Sequence, residues 1–146
     1  MDFYTKKITP EDIFITILKP NEMKQTADKQ TGVEVIANRA SGNEFIDKVA
    51  QFLYRYRMNT TKFYEERLGL RQGTLHSFMI LYTGLSFPEW RNRYLMLAAK
   101  ELLKETDLGL KEIGPRLGFS GMNTFSRWFI RTEKTKASWW RYRHKK

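Results

Sequence analysis

The residues Arg67-Leu68-Gly69-Leu70 return 49 positions later as Arg116-Leu117-Gly118-Phe119. Leu75, Phe78, Met79 and Ile80 return 50 positions later as Phe125, Trp128, Phe129 and Ile130, so the second copy holds one extra turn residue. Glycine permits a tight reversal of the chain, and large apolar residues at matching places let two short helices pack on each other. The pattern is helix, turn, helix, present twice in one polypeptide.

The flanking sequence supplies the frame for both copies. Phe45, Ile46, Val49, Phe52, Leu53 and Tyr56 recur at the spacing of one helical face, which predicts an amphipathic helix. Asn59-Thr60-Thr61 offers N-cap oxygens for a short helix to Leu68, and a second helix follows Gly69 through about Tyr82. Ser86 can cap and Pro88 suits a first turn, which opens a long helix from about Pro88 to Lys104 with Trp90, Tyr94, Leu97 and Leu102 available for burial. Thr106-Asp107-Leu108-Gly109 breaks it, and helices are expected again over Leu110 to Leu117 and Asn123 to Thr132. Pro115 falls past the first turn of its helix, where proline removes a backbone hydrogen bond, so a kink or a late helix start is expected there.

Residues 1–42 read differently. The run Ile13-Phe14-Ile15-Thr16-Ile17-Leu18 and the later Val33-Glu34-Val35-Ile36 predict two short strands that could pair as a loose hairpin, with a polar loop over residues 21–32. The division expected is an N-terminal extension over residues 1–42 and a helical domain over 43–146.

Charge narrows the partners. The 146 residues carry 26 Lys and Arg against 16 Asp and Glu, a formal net charge of +10. Residues 1–51 are close to neutral, so the positive field belongs to the second part of the chain. Such a balance favours a polyanion such as nucleic acid or an acidic membrane surface. With 41% hydrophobic and 14% aromatic residues the chain can still form a packed core. There is no cysteine and only two histidines, His76 and His144, which excludes disulfides, thiolate nucleophiles and the usual zinc sites. No cofactor and no metal are expected, and a cytoplasmic setting is compatible. The first twenty residues include Asp2, Glu11 and Asp12 and no long apolar run, so neither a signal peptide nor a membrane span is expected.

Two helices joined by a rigid one could enter successive major grooves of double-stranded DNA, about 34 Å apart. On the first, Leu75, Phe78 and Met79 face the core, which leaves Arg71, Gln72, Gly73, His76 and Ser77 toward solvent or a groove, with Gln72 and His76 as base readers and Gln72 suited to adenine. On the second, Phe125, Trp128 and Phe129 are core, and Met122, Asn123, Ser126, Arg127 and Arg131 line the other face. Arg127 suits guanine and Asn123 suits adenine. The last 25 residues hold eight Lys and Arg, among them Lys136, Arg141 and Arg143, a pattern suited to clamping phosphates. Trp139 and Trp140 are expected to pack against the preceding helix rather than stack on bases, and His144 to be solvated. Carboxylates such as Glu65, Glu66, Glu101 and Glu105 fit exposed helix faces, and no motif pairs a nucleophile with a base, so no catalytic residue is assigned and no enzyme is expected.

The stretch from Ala99 to Ile130 resembles the signature of AraC/XylS-type transcription regulators. It does so through Ala99, Leu102-Leu103, Ile113-Gly114, Leu117-Gly118-Phe119-Ser120 and Phe125-Ser126-Arg127-Trp128-Phe129. With Leu68-Gly69-Leu70, Leu75 and Trp140-Arg141-Tyr142-Arg143 the resemblance extends over about Phe45 to Arg143. It implies a mainly α fold, a seven-helix domain with two helix-turn-helix units joined by a long linker helix. It also implies action at promoters, usually as an activator that touches RNA polymerase, with groove-reading positions at Gln72, Gly73, His76, Ser77, Met122, Asn123, Ser126 and Arg127. The departures are Gly109 for the usual capping Ser or Thr, Lys134 and Ala137 for the usual glycine and proline, Leu95 where a basic residue is common and, the most serious, Pro115.

Binding as a monomer is expected, and a strand edge in residues 1–42 would give a route to a dimer. The competing reading is an interaction protein, a degraded reader that binds another regulator or RNA polymerase and touches DNA only loosely.

Overall fold

The computed structural model describes residues 7–22 and 35–145. Among them run eight α-helices: α1 (Pro10–Ile13), α2 (Glu44–Tyr56), α3 (Thr61–Leu68), α4 (Thr74–Thr83), α5 (Phe87–Glu105), α6 (Leu110–Arg116), α7 (Met122–Glu133) and α8 (Ala137–His144). Helices α2 to α8 are the seven expected for the two-unit domain, with α3–α4 and α6–α7 as the two helix-turn-helix pairs. None of these helices is long and apolar enough to cross a membrane.

Local signals set most of the boundaries. The Asn43 side chain accepts from the Ile46 amide at 3.1 Å and starts α2, whose inner face buries Ile46, Val49, Ala50 and Leu53. Thr60 caps α3 in the same way through Phe63 at 3.0 Å, and Gly69 ends it at φ 70°. Ser86 and Glu89 form a reciprocal capping box at the head of α5, and proline sits in its first turn.

Helix α5 is the axis of the molecule, 19 residues and so roughly 28 Å long. It packs against α1, α2, α4, α6 and α8, which explains why it buries side chains around much of its circumference, among them Trp90, Tyr94, Leu95, Ala99 and Leu103. Leu97 is only half-buried.

The conflict at Pro115 is met by ending the helix. Helix α6 starts on time at Leu110, capped at Gly109, whose amide is taken by the Glu112 carboxylate at 3.0 Å. Pro115 lies in the last turn, so one bond is lost, to the carbonyl of the exposed Lys111. At the end of α7 the place of the usual glycine is taken by Lys134 at φ 68°, in the left-handed region.

The N-terminal strands are not formed among the described residues. Ile13 closes α1, residues 15–19 form no regular element, and one antiparallel bridge joins Phe14 to Asn38. Val33, Glu34 and most of the 21–32 loop lie outside the described residues, and Pro20–Glu22 is one turn of 3-10 helix. The physical reason lies in long-range partners. Buried backbone polar groups must be paired. The Ile15 and Thr16 amides both donate to the Ala37 carbonyl, at 2.8 and 3.1 Å. From Ile17 on, side chains of the helical domain take that role, its amide donating to Glu101 at 2.7 Å and its carbonyl accepting from Arg57 at 3.1 Å. Ile13 and Ile17 are both buried in the same core as the helices.

Candidate nucleic-acid interface

The two second helices, α4 and α7, are held by different chemistry. In the first unit Glu65 of α3 is only 8% exposed, and its carboxylate accepts from the Gly73 amide at 2.9 Å, directly at the head of α4. Gly73 stands at φ 88° and has no side chain with which to cap. A negative charge at that place favours the positive end of the helix. In the second unit the place matching Glu65 is Gly114, where a Cβ would stand 2.9 Å from the Gly121 carbonyl oxygen and 3.2 Å from Phe125 Cβ. There the helices meet through backbone, and Thr124 closes the first turn of α7 by donating to the Gly121 carbonyl at 3.0 Å.

Their outward faces differ as well. Helix α4 buries Leu75 and Met79 and exposes His76, Ser77, Ile80 and Leu81, with Gln72, Gly73 and Arg71 exposed in the turn before it. Its ten residues include no Asp, Glu, Lys or Arg. Ser77 spends its hydroxyl on the Gly73 carbonyl at 3.2 Å. Helix α7 buries Phe125, Trp128 and Phe129 and exposes Met122, Asn123, Arg127, Ile130 and Arg131, with Ser126 half-buried. Ile80 and Ile130, equivalent in the repeat, are equally exposed at 41%, but Leu81 at 60% stands where the second unit has Arg131. Arg71 is exposed as expected, whereas Ile80, Leu81 and Ile130, which their apolar character hides among core candidates, also lie exposed on the outer faces.

The C-terminal basic residues separate into two groups. Lys136 is exposed at the N-cap of α8, and Arg143 is exposed near its end. Arg141 points back to the linker: its guanidinium donates to the carbonyls of Leu103 at 2.8 Å, Leu102 at 3.3 Å and Thr106 at 3.1 Å. It thereby closes the C-terminus of α5, where a cation is favoured. Lys145 joins it, donating to Thr106 at 2.6 Å and pairing with Asp107 at 2.9 Å.

Trp140 packs as expected, partly buried beneath Lys100. Trp139 does not, being 55% exposed and edge-on to Tyr142. His144 is exposed, as expected, and stacks on Trp140 with centroids 4.0 Å apart. Glu65 and Glu101 also depart from the exposed faces assigned to them, while Glu66 and Glu105 keep theirs. Burial raises the Glu101 carboxyl above its ordinary range, opposed by the hydrogen bonds from Thr16 and Ile17. Among the described residues no cluster of His, Asp and Glu could hold a metal.

A family model described as a helix-turn-helix domain matches residues 64–143. Over 66 residues the chain is 36% identical to the HTH-type transcriptional activator RhaS of Salmonella arizonae and, equally, of Salmonella newport. That match spans 45% of this chain and 24% of the relatives, so the chain corresponds to about a quarter of their length. Its fold is similar to the C-terminal domain of AraT, a response regulator from Geobacillus stearothermophilus, with a TM-score of 0.65 at 21% identity over 73% of this chain and 91% of that one. The C-terminal domain of the two-component response regulator yesN from Fusobacterium nucleatum gives 0.60 at 25% identity over 70% and 99%. The DNA-binding domain of AdpA, solved in complex with a target DNA, gives 0.57 at 19% identity over 68% and 87%. The chain belongs to the AraC/XylS-type helix-turn-helix family of transcription regulators.

Proposed function

We propose that the protein is a sequence-specific, duplex-DNA-binding transcription regulator that acts in the cytoplasm as a monomer, placing α4 and α7 in successive major grooves. The observation that carries this reading is the pair of helix-turn-helix units built on one 19-residue linker, each with its second helix turned outward. The second unit supplies most of the sequence preference, through Arg127 against guanine and Asn123 against adenine, with Met122, Ser126 and Arg131 beside them. The first supplies Gln72 and His76, close backbone approach at Gly73, and the Ser77 hydroxyl. Lys136 and Arg143 suit phosphates, whereas Arg141 serves the linker end. Contact with RNA polymerase follows from the family as part of the same proposal.

The test is competition binding with sequences that the protein enriches from random duplexes. Arg127→Ala is expected to remove about 1–3 kcal/mol of preference for guanine at one position of the site. An unchanged preference would overturn the assignment. A second reading is favoured by one observation: α4 carries no charge and exposes Ile80 and Leu81, which suits contact with another protein. Under that reading the wild-type chain has no sequence preference for Arg127→Ala to remove.

A further inference from the structure

Three parts of the chain converge on one buried side chain that the reading of the grooves does not use. Arg57 follows α2 and is 7% exposed. Its guanidinium donates to the carbonyls of Tyr54 at 3.0 Å, Arg116 at 2.8 Å and Ile17 at 3.1 Å. Tyr54 lies on α2, which packs beside the first unit; Arg116 ends α6 of the second; Ile17 belongs to the N-terminal segment. The Arg57 backbone stands at φ 64°, ψ −139°, a conformation kept by a non-glycine residue where its surroundings over-determine it. The three carbonyls are each met by a different nitrogen of the guanidinium, Nε, Nη1 and Nη2, a spread that a lysine ammonium, with its donors on one nitrogen, does not match.

The N-terminal segment is tied on its other side to the linker. Glu101 of α5 accepts from the Thr16 hydroxyl and the Ile17 amide, both at 2.7 Å. The Tyr54 hydroxyl donates to the Leu18 carbonyl at 2.8 Å, the Trp90 indole donates to the Ile8 carbonyl at 2.9 Å, and Glu22 pairs with Arg116. Beside Arg57, the Met58 amide donates to the Leu117 carbonyl at 2.9 Å. The second unit is also held to α5 by the packing of α6 and α8 and by Arg141, but these bonds are the ones that join it to α2 and the N-terminal segment.

We infer that Arg57, with the N-terminal segment that it engages at Ile17, braces the two helix-turn-helix units against each other and so makes the protein discriminate between half-site spacings. The inference rests on the two-groove reading above. Inserting one base pair between half-sites turns one of them by roughly 35° about the duplex axis. A braced pair of helices cannot follow that turn, whereas a loosely joined pair can.

Arg57→Gly tests this in the full chain, because it removes the guanidinium while suiting the positive φ. Thr16→Val, which removes one tie to Glu101, is the second variant should the first unfold. Circular dichroism checks the fold, and affinities are measured for the enriched duplex, for duplexes with one base pair inserted or deleted between half-sites, and for each half-site alone. The wild type is expected to lose about tenfold or more on insertion, comparable to a mismatched pair. The variants are expected to lose much less, with single half-site affinities unchanged. A folded variant with the full wild-type penalty overturns the brace. Wild-type protein that needs both half-sites but ignores their spacing also overturns it and leaves the two-groove reading standing, whereas protein that needs only one half-site overturns both.

Discussion

Gly118 faces Met58 so closely that a Cβ on the glycine would stand 2.7 Å from the Met58 nitrogen and 2.8 Å from its carbonyl oxygen. The turn of the second helix-turn-helix unit is thus pressed against the backbone that leads into the first. Both atoms met are main chain and cannot rotate away, and Gly118 also stands at φ 92°. The two units therefore meet at a joint as well as through their common linker.

The equivalent glycine of the first unit, Gly69, has the same handedness at φ 70° but nothing within 4 Å of a Cβ. Gly69→Ala is expected to cost about 1–2 kcal/mol, the left-handed penalty alone. Gly118→Ala is expected to cost more, about 3 kcal/mol or above, since strain and overlap add. Urea unfolding of the two variants checks the difference, and equal losses would contradict the close joint.

Lys134 gives the opposite sign. It is exposed, ends α7 at φ 68°, and leaves its amide bonded to the Ile130 carbonyl at 2.9 Å. Lys134→Gly is expected to raise stability by about 0.5–1 kcal/mol, because glycine adopts this conformation freely. Thermal unfolding at fixed ionic strength reads it, and a loss of stability would mean that the lysine side chain makes up for its backbone.

Glu101 links stability to pH. Its carboxyl is raised by burial above its ordinary 4.5 in the folded protein. A group with a raised folded pKa lends stability that is fully present below the unfolded value and lost as pH rises through the folded one. Glu101→Gln keeps an oxygen for the Ile17 amide and turns an amide toward the Thr16 hydroxyl. Relative to this variant, wild-type protein is expected to lose stability as pH rises above 4.5, measured by urea midpoints across pH 4 to 8. Parallel profiles would contradict the assigned burial.

The repeat made the helical domain legible, because its signals are local: Gly69 and Gly84 end helices, and Ser86, Thr60 and Asn43 begin them. The outer face of α7 was legible for the same reason, since Phe125, Trp128 and Phe129 fix which residues turn outward. Residues 13–18 were not. Their β-branched run reads as a strand, and Ile13, Ile15 and Thr16 do pair with the backbone of Ala37 and Arg39, but at Ile17 the partners are the side chains of Arg57 and Glu101, 40 and 84 residues away. Arg141 carried an equally misleading signal: in a basic tail it reads as a phosphate contact, yet its partners are carbonyls more than thirty residues back. Helix α8 was expected only through the family resemblance, because Ser138 to His144 alternate aromatic and charged residues without an apolar stripe.

The central claim is that two outward helices read two half-sites on one duplex, and the most direct measurement is selection from fragmented genomic DNA. Purified protein is incubated with the fragments at near-physiological salt, and what it retains is sequenced. The account expects an enriched motif with two half-sites about 10 base pairs apart, in which the half read by α7 is the better defined. Retention with no motif above that of a basic, nonspecific control protein would contradict it.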